Sequence, residues 1–157
     1  MNKYIEAVAV LKNKKINGTI IFKEKKEHTK IDINIKGVKP NSIHGFHIHK
    51  AGDLREGCTS CCDHYNPFNK LHGGPNDKER HVGDLGNLVA NKSGNIKMSF
   101  TDKLIKLRGK YNIIGRSVVL HKDEDDLGKG ANKESLITGN AGKRIACGII
   151  GYSKNNY

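Results

Sequence analysis

Two histidines of this chain stand one residue apart, in the stretch GFHIHKAGD at 45–53. In an extended strand, alternate side chains point to opposite faces, so Phe46 and Ile48 would face a core. His47 and His49 would then share the other face. Two imidazoles about 6–7 Å apart along a strand can close on one metal ion. A half-buried strand with polar outer residues is the alternative explanation.

Further nitrogen and oxygen donors follow at wider spacing. The first long polar stretch and its end supply His64, His72, His81 and Asp84. Such a set suits Zn²⁺, which favours four ligands in a tetrahedron. His121 closes the apolar strand SVVLH at 117–121. Together with the two strand histidines and one loop histidine it forms an all-imidazole set that suits Cu(II). Scattered histidines in a polar loop remain an alternative on spacing alone.

The hydrophobic pattern predicts short strands. Strict alternation of isoleucine with polar residues makes 29–35, TKIDINI, a half-buried strand. Weaker strand patterns cover roughly 4–11, 17–23, 42–48, 84–91, 96–102, 116–121 and 146–152. About eight strands without a helical period indicate an all-β sandwich or closed barrel. The two long stretches between them, about 49–83 and 122–144, have the length of functional loops. A chain of 157 residues is expected to form one domain, 1–157.

Composition limits the functional classes. The net charge of +12 fits a polyanion partner, attraction of small anions or a lysine-rich composition bias. No aromatic residues alternate with the basic ones as in single-strand nucleic-acid binders, so no specific nucleic-acid partner is expected. The first residues lack the apolar run of a signal peptide, and no stretch is long enough for a membrane span. The chain is therefore expected to be soluble and cytoplasmic. In a reducing compartment its four cysteines would be free thiols or metal ligands by default.

The chain resembles the intracellular copper–zinc superoxide dismutases. The resemblance rests on seven blocks that follow the family's order from about residue 3 to 153: GFHIHKAGD, GCTS (57–60), HYNP (64–67), HGGP (72–75), ERHVGDLGN (79–87), DDLGKG (125–130) and GNAGKRIACGIIG (139–151). It implies an eight-stranded Greek-key β-barrel, an immunoglobulin-like sandwich with two long functional loops. It also implies an oxidoreductase that converts superoxide to oxygen and hydrogen peroxide by copper redox cycling, beside a structural zinc.

The resemblance also implies a role for each matching residue. The family's copper would be held by His47, His49, His64 and His121, and its zinc by His64, His72, His81 and Asp84. His64 thus bridges the two metals and, with Arg144 beside the copper, forms the catalytic pair. Asp125 matches the aspartate that links a copper histidine to a zinc histidine, and Thr138 matches the residue that narrows the channel. Cys58 and Cys147 match the family's intrachain disulfide.

The chain departs from the family pattern at several positions. Cys61 and Cys62 stand where small residues are usual, and with Cys58 they form C-x-x-C-C. We expect both to be free thiols, although pairing of Cys58 with Cys61 is an open alternative. Ile137 replaces a usual lysine at the channel rim, which shifts the expected attraction of superoxide toward the overall charge.

The resemblance implies two protein partners. The first is a second copy of the chain, in a homodimer formed through an apolar patch that includes Ala51, Ile114, Gly115, Ile149 and Tyr152. The second is a copper chaperone. Two other functional classes compete with the enzyme: a non-enzymatic copper-handling protein of the same fold, and a basic module that binds a polyanion. Copper-handling relatives typically lack a copper ligand, whereas all four positions are filled here.

Overall fold

The fold is built almost entirely from β-strands in the part of the chain that the computed structural model describes, residues 4–157. Residues 1–3, which belong to the amino-terminal stretch and the single domain predicted above, lie outside it. The strands are β1 (Ile5–Lys12), β2 (Asn17–Glu24), β3 (Thr29–Lys36), β4 (Ile43–His49), β5 (Arg55–Cys58), β6 (Asp84–Val89), β7 (Asn95–Asp102), β8 (Ser117–His121), β9 (Arg144–Ile149) and β10 (Gly151–Tyr152). Helical structure among these residues is confined to the 3₁₀ segments Thr59–Cys61, Lys133–Leu136 and Lys154–Asn156.

Two antiparallel sheets face each other. The first has the order β10-β1-β2-β3-β7 and the second the order β6-β4-β8-β9. The chain passes from the first sheet to the second after β3, returns between β6 and β7, crosses again between β7 and β8, and ends with β10 in the first sheet. This connectivity is that of a Greek-key sandwich, which confirms the predicted all-β class.

The core lies between the sheets and consists largely of aliphatic side chains. Ile31, Ile33 and Ile35 of β3 are at most 2% exposed, as their alternation predicts. Phe46 and Ile48 of β4, in the second sheet, are fully buried in the same core cluster. Burying each such side chain stabilises the fold by roughly 1.5–3 kcal/mol, so the strand that carries the paired histidines is firmly anchored.

Two details of the strands differ from the sequence prediction. The predicted strand at 146–152 divides into β9 and β10, which belong to different sheets. β5, inside the first long stretch, was not predicted, because its residues Arg55–Cys58 are exposed or half-buried and lack alternation. β5 is outside both sheets, so its assignment does not change the architecture.

Bulges interrupt the second sheet beside the histidines. Between the pairs Gly45↔Asn87 and His47↔Asp84, β6 has one residue more than β4, and Gly86 in this interval has φ +77°. Similarly, β9 has one extra residue between Leu120↔Ala146 and His121↔Arg144. Because a bulge re-aims the side chains next to it, both irregularities act on polar residues at one end of this sheet.

No helix among the described residues has the length and apolar character needed to cross a membrane.

Candidate metal centre

The histidine face of β4 is buried, like its core face. His47 and His49 are at most 1% exposed, because the two long loops cover the outside of the strand. The first loop is attached to β4 through an isolated bridge between His49 and His64. Two groups of closely spaced donors result: one of His47, His49, His64 and His121, the other of His47, His64, His72 and Asp84. His47 and His64 belong to both groups.

In the first group, lone pairs face each other. Nδ1 of His49 lies 2.7 Å from the Cys62 carbonyl oxygen, and Nδ1 of His121 lies 3.0 Å from the Gly142 carbonyl oxygen. A carbonyl only accepts, so each Nδ1 carries the hydrogen and each Nε2 keeps a lone pair. These two Nε2 atoms are 3.3 Å apart. Two converging lone pairs at that distance repel each other unless a cation lies near both.

His47 contributes a further nitrogen that has no hydrogen-bond partner among the described residues. Its Nε2 lies 2.7 Å from Asp125 Oδ2, which leaves Nδ1 as the acceptor nitrogen. That Nδ1 is buried and has no hydrogen-bond partner among the described residues. A buried acceptor without a partner costs about 1–3 kcal/mol, and a metal ion would remove this cost.

The second group is organised around one carboxylate, which the neighbouring His81 also approaches. Asp84 Oδ1 lies 2.9 Å from Nδ1 of His64, 2.9 Å from Nδ1 of His72 and 3.2 Å from Nδ1 of His81. The Nδ1 atoms of His64 and His81 are themselves 3.2 Å apart. The other oxygen, Asp84 Oδ2, accepts from the backbone N–H groups of Gly73 and His81. Three imidazole nitrogens and one carboxylate oxygen thus converge, which is a donor set suited to Zn²⁺.

Electrostatics separates the two groups. Burial lowers the pKa of His121 to about 4 and lowers the pKa of His49 much further. Burial also lowers the pKa of His72, but its hydrogen bond to Asp125 and its close approach to the Asp84 carboxylate outweigh this and raise the pKa to about 9. Without metals, a proton on His72 therefore fills the role of a cation beside Asp84, whereas the histidines of the first group remain neutral acceptors. Both arrangements fit cation binding: the neutral histidines of the first group form a copper-type donor set, and the residues around Asp84 form a zinc-type donor set.

Asp125 links the two groups directly. Its Oδ2 accepts from His47 Nε2 and its Oδ1 from His72 Nε2, both at 2.7 Å. Gly139 allows this approach, because a Cβ there would overlap Asp125 Oδ1 and come within 2.5 Å of His72 Nε2. Asn87 holds the backbone of Asp125 from both sides, donating to its carbonyl at 2.9 Å and accepting from its N–H at 2.8 Å. Asp125 is therefore fixed before any metal binds.

Sequence reasoning did not identify Asn87 or Gly139 as parts of this arrangement. Both lie in blocks that carry the resemblance, but their roles arise from contacts between loops that are distant in the chain. The only local signal is the glycine itself, which has φ +70° and therefore disfavours any other residue.

A cavity of about 400 Å³ leads to the first group. Residues of both groups and of the second long loop line it, among them His49, His64, His121, Thr138 and Arg144. Arg144 Nη1 donates to the Cys58 carbonyl at 2.8 Å, which holds the guanidinium at the cavity wall. Thr138 Oγ1 donates to the Glu134 carbonyl at 3.2 Å. The predicted channel residues therefore share one cavity, and the exposed Ile137 is at its rim.

The cysteines divide as the sequence analysis expects. Cys58 and Cys147 form a disulfide with a sequence separation of 89, while Cys61 and Cys62 are free. Cys61 is buried and Cys62 exposed. The backbone of Cys62 has φ 64° and ψ −149°, a region that residues other than glycine adopt only under strain. The same residue supplies the carbonyl that orients His49.

Comparison with known proteins agrees with this geometry. The model of the family described as "Copper/zinc superoxide dismutase (SODC)" matches residues 16–150. A superoxide dismutase [Cu-Zn] of Paramecium bursaria Chlorella virus 1 is 58% identical over 157 residues, covering 100% of this chain and 83% of the relative. An extracellular superoxide dismutase [Cu-Zn] of Brugia pahangi is 51% identical, covering 98% of this chain and 79% of the relative.

Solved structures agree as well. The crystal structure of the clock protein EA4 superposes with a TM-score of 0.92 at 44% identity, covering 98% of each chain. The family match spans most of the sequence, and the alignment with the viral relative covers the whole of this chain. The chain therefore belongs to the copper/zinc superoxide dismutase family.

Proposed function

We propose that the two donor groups are the copper and zinc sites of this enzyme. The reaction is the dismutation of superoxide to oxygen and hydrogen peroxide, and copper and zinc are the cofactors. We assign copper to His47, His49, His64 and His121, and zinc to His64, His72, His81 and Asp84. The lone pairs that converge from His49 and His121 carry the copper assignment.

His47 is close enough to belong to either group, and its hydrogen bond to Asp125 supports assigning it to copper. Asp125 engages the rings of His47 and His72 through separate oxygens and so holds one ligand of each metal. His81 Nδ1, at 3.2 Å from both His64 Nδ1 and Asp84 Oδ1, completes the zinc set without His47. His64 directs Nδ1 to the zinc set and leaves Nε2 for the copper set.

In this assignment, a copper ion held by His47, His49, His64 and His121 would supply the one-electron redox chemistry of the reaction. The protein residues control charge and protons. His64 can hold a proton on Nε2 whenever that nitrogen is not bound to a cation, and can deliver it to the peroxide product. Arg144 carries a guanidinium group, which offers several hydrogen-bond donors to an anion. Thr138, across the same cavity, limits the size of what enters.

Metal counting tests the assignment. After reconstitution with both metals, we expect one copper and one zinc per chain and rapid superoxide decay. A His49→Ala variant should lose copper and activity but keep zinc, since His49 is outside the zinc set. His28→Ala serves as the control, because His28 belongs to neither group. Binding of zinc alone by the unmodified protein, without activity, would contradict the proposal.

We also propose a homodimer. The patch of Ala51, Ile114, Gly115, Ile149 and Tyr152 retains exposed apolar area, with Ile149 44% and Tyr152 50% exposed. An exposed apolar face of this kind is typical of protein contacts. Sedimentation of the protein and of an Ile149→Lys variant tests this. A monomeric unmodified protein at micromolar concentration would rule the dimer out.

An intracellular location and copper delivery by a chaperone complete the proposal. The two free thiols support a reducing compartment, although one relative is named extracellular. Fractionation of the producing cells tests the location. Loading by copper–glutathione alone, to one copper per chain, would show that a chaperone is dispensable.

We further propose that residues 1–157 form one domain, which a single cooperative unfolding transition would support.

A further inference from the structure

The free cysteine Cys61 lies beside one half of the disulfide. The 3₁₀ segment Thr59–Cys61 begins directly after Cys58, whose own backbone is helical with φ −74° and ψ −14°. Residues three apart on a 3₁₀ helix lie on the same side, with a rise of about 6 Å between them. Cα atoms joined by a disulfide are about 4.4–6.8 Å apart. Cys61 is therefore within disulfide range of Cys58 without any rearrangement of this turn.

Cys61 is buried, and a buried thiol is a poor nucleophile, so disulfide exchange here requires this segment to open. Its Sγ makes one weak hydrogen bond among the described residues, 3.8 Å to the carbonyl of Asp53. Cys62, the next residue, is exposed instead. Of the two free cysteines, Cys61 is therefore the one whose side chain lies on the same side of the turn as Cys58.

The segment that carries both cysteines is joined to the rest of the fold by the disulfide and by hydrogen bonds that its carbonyls accept from Ala51, His49 and Arg144. β5, which precedes the turn, is outside both sheets, and its residues are exposed or half-buried. If the segment moves away from β9, Cys147 leaves with β9, while Cys61 stays near Cys58 because both belong to one turn. Closing the short loop also costs less chain entropy than closing the loop of 89 residues.

We propose that Cys58 has a second disulfide partner, Cys61, and that the two pairings interconvert by thiol–disulfide exchange. The sulfur of Cys61 attacks Sγ of Cys58, the bond between Cys58 and Cys147 breaks, and the proton of Cys61 passes to the sulfur of Cys147. One disulfide and two free thiols are present before and after, so no oxidant or reductant is consumed. The exchange releases β9 from the turn whose Cys58 carbonyl holds Arg144.

Peptide mapping distinguishes the two states. Trypsin gives peptide 56–70, with three cysteines, and peptide 145–154, with Cys147. The metal-loaded protein is warmed without added thiol, quenched in acid and alkylated with N-ethylmaleimide. Cross-linked peptides report the pairing of Cys58 with Cys147. Free alkylated 145–154, together with 56–70 carrying one alkyl group and one internal disulfide, reports the new pairing.

Two variants identify the attacking thiol. Cys61→Ala, whose small apolar side chain suits a buried position, should lower the yield of alkylated 145–154 by about tenfold or more, while Cys62→Ser should change it less than about twofold. Total free thiols should remain two per chain, since reduction would raise them to four. Absence of alkylated 145–154 in the unmodified protein, or its loss only in Cys62→Ser, would overturn the proposal.

Discussion

Asp125 is not a proposed ligand but contacts the proposed ligands of both metals directly. It accepts hydrogen bonds from one ring of each donor group at 2.7 Å and is 1% exposed. Its negative charge makes both rings stronger electron donors and fixes which nitrogen of each ring faces the metal. Residues in this position typically contribute a factor of 10–100 in metal affinity.

We therefore predict that Asp125→Asn weakens binding of both metals by about 10–100-fold while the fold is retained. Competition against a chelator of known affinity measures the change. Asp123→Asn removes the same charge two residues earlier, at an exposed side chain, and should leave both affinities within about twofold. Equal losses in the two variants would mean that general charge, and not the bridge, is responsible.

Cys62 is predicted to be a strained position. Its φ of 64° with ψ −149° is tolerated by glycine but costs other residues about 1–3 kcal/mol. Cys62→Gly should therefore raise the free energy of unfolding by roughly 1 kcal/mol, after the greater chain entropy of glycine is subtracted. Cys62→Ser keeps the strain and removes only the thiol, so its urea midpoint should not change. A gain in Cys62→Ser equal to that in Cys62→Gly would exclude backbone strain as the cause.

At this scale the sequence predicted much of the site. The histidines, Asp84 and Asp125 were named because residue type and order match a family whose chemistry needs them, and the structure brings them together. The strain at Cys62 and the clamp of Asn87 on Asp125 could not be predicted. The strain depends on the backbone angles of Cys62, and the clamp depends on a contact between Asn87 and Asp125, which are 38 residues apart in the chain.

The strands and loops position these residues through close backbone approach. Gly139 lies in the second long loop with φ +70°, and its Cα hydrogens face Asp125 and His72. A methyl group there would push the Asp125 carboxylate away from the His72 ring. The packing of this loop thus sets the position of the bridge between the two donor groups.

Gly139→Ala should consequently lower zinc affinity at least tenfold, in addition to a backbone cost of about 1 kcal/mol for a non-glycine residue at positive φ. Gly109→Ala provides the matched control. Gly109 has φ +83°, but a Cβ there would meet nothing within 4 Å. Zinc competition and urea unfolding of both variants separate the two effects: both should lose stability, and only Gly139→Ala should lose zinc.

The elements themselves were predictable to different degrees. Alternating isoleucines made β3 evident, because one face of the strand must be buried and the other is not. The extra residues of β6 and β9 were not predictable, since a bulge depends on how two strands pair and not on the pattern of either one. These bulges bring Asp84 opposite His47 and Arg144 opposite His121.

For the whole molecule, metal-free stability should peak near neutral pH. His121, with its pKa lowered by burial to about 4 from 6.5, binds its proton more weakly in the folded state. The unfolded chain thus binds more protons between these values, and stability falls as the pH drops from about 7 to 4. Burial lowers the pKa of His49 as well, which adds to this fall.

His72 acts in the opposite direction. Because its folded-state pKa is raised from 6.5 to about 9, His72 stabilises the fold fully below about pH 6.5, and this stabilisation is lost as the pH rises through 9. Urea unfolding of the chelated protein at about pH 5, 7 and 9 should therefore give the highest midpoint at pH 7. A midpoint at pH 5 equal to that at pH 7 would show that the histidines of the copper set do not stay neutral when buried.

The overall charge should govern the encounter with substrate. The cavity wall pairs one cation, Arg144, with the carboxylates of Asp63 and Glu134 and the apolar Ile137, so local attraction is weak. The net charge of +12 acts on the superoxide anion at longer range. Steering by the protein field is already known for this family. The rate should fall as the Debye length shrinks from about 30 Å at 0.01 M salt to about 8 Å at 0.15 M.

Substitution at the rim tests this division between local and overall charge. Ile137→Lys should raise the rate at low salt and steepen its salt dependence, whereas Ile137→Leu should change neither. Stopped-flow measurement of superoxide decay over this salt range gives both quantities. A rate of the unmodified protein that does not vary with salt would count against steering.

The bridge formed by Asp125 also determines where this chain can accept new sequence. Its carboxylate connects β4, the first long loop at His72 and the second long loop near its start, so three segments meet at one side chain. Residues inserted between His64 and His72, or between His121 and Asp125, would alter the span from a strand to this junction. Additions around Lys78 or Lys129, both exposed and beyond the junction, would leave it in place. The family's freedom to vary in loop length is therefore expected to lie in those outer portions.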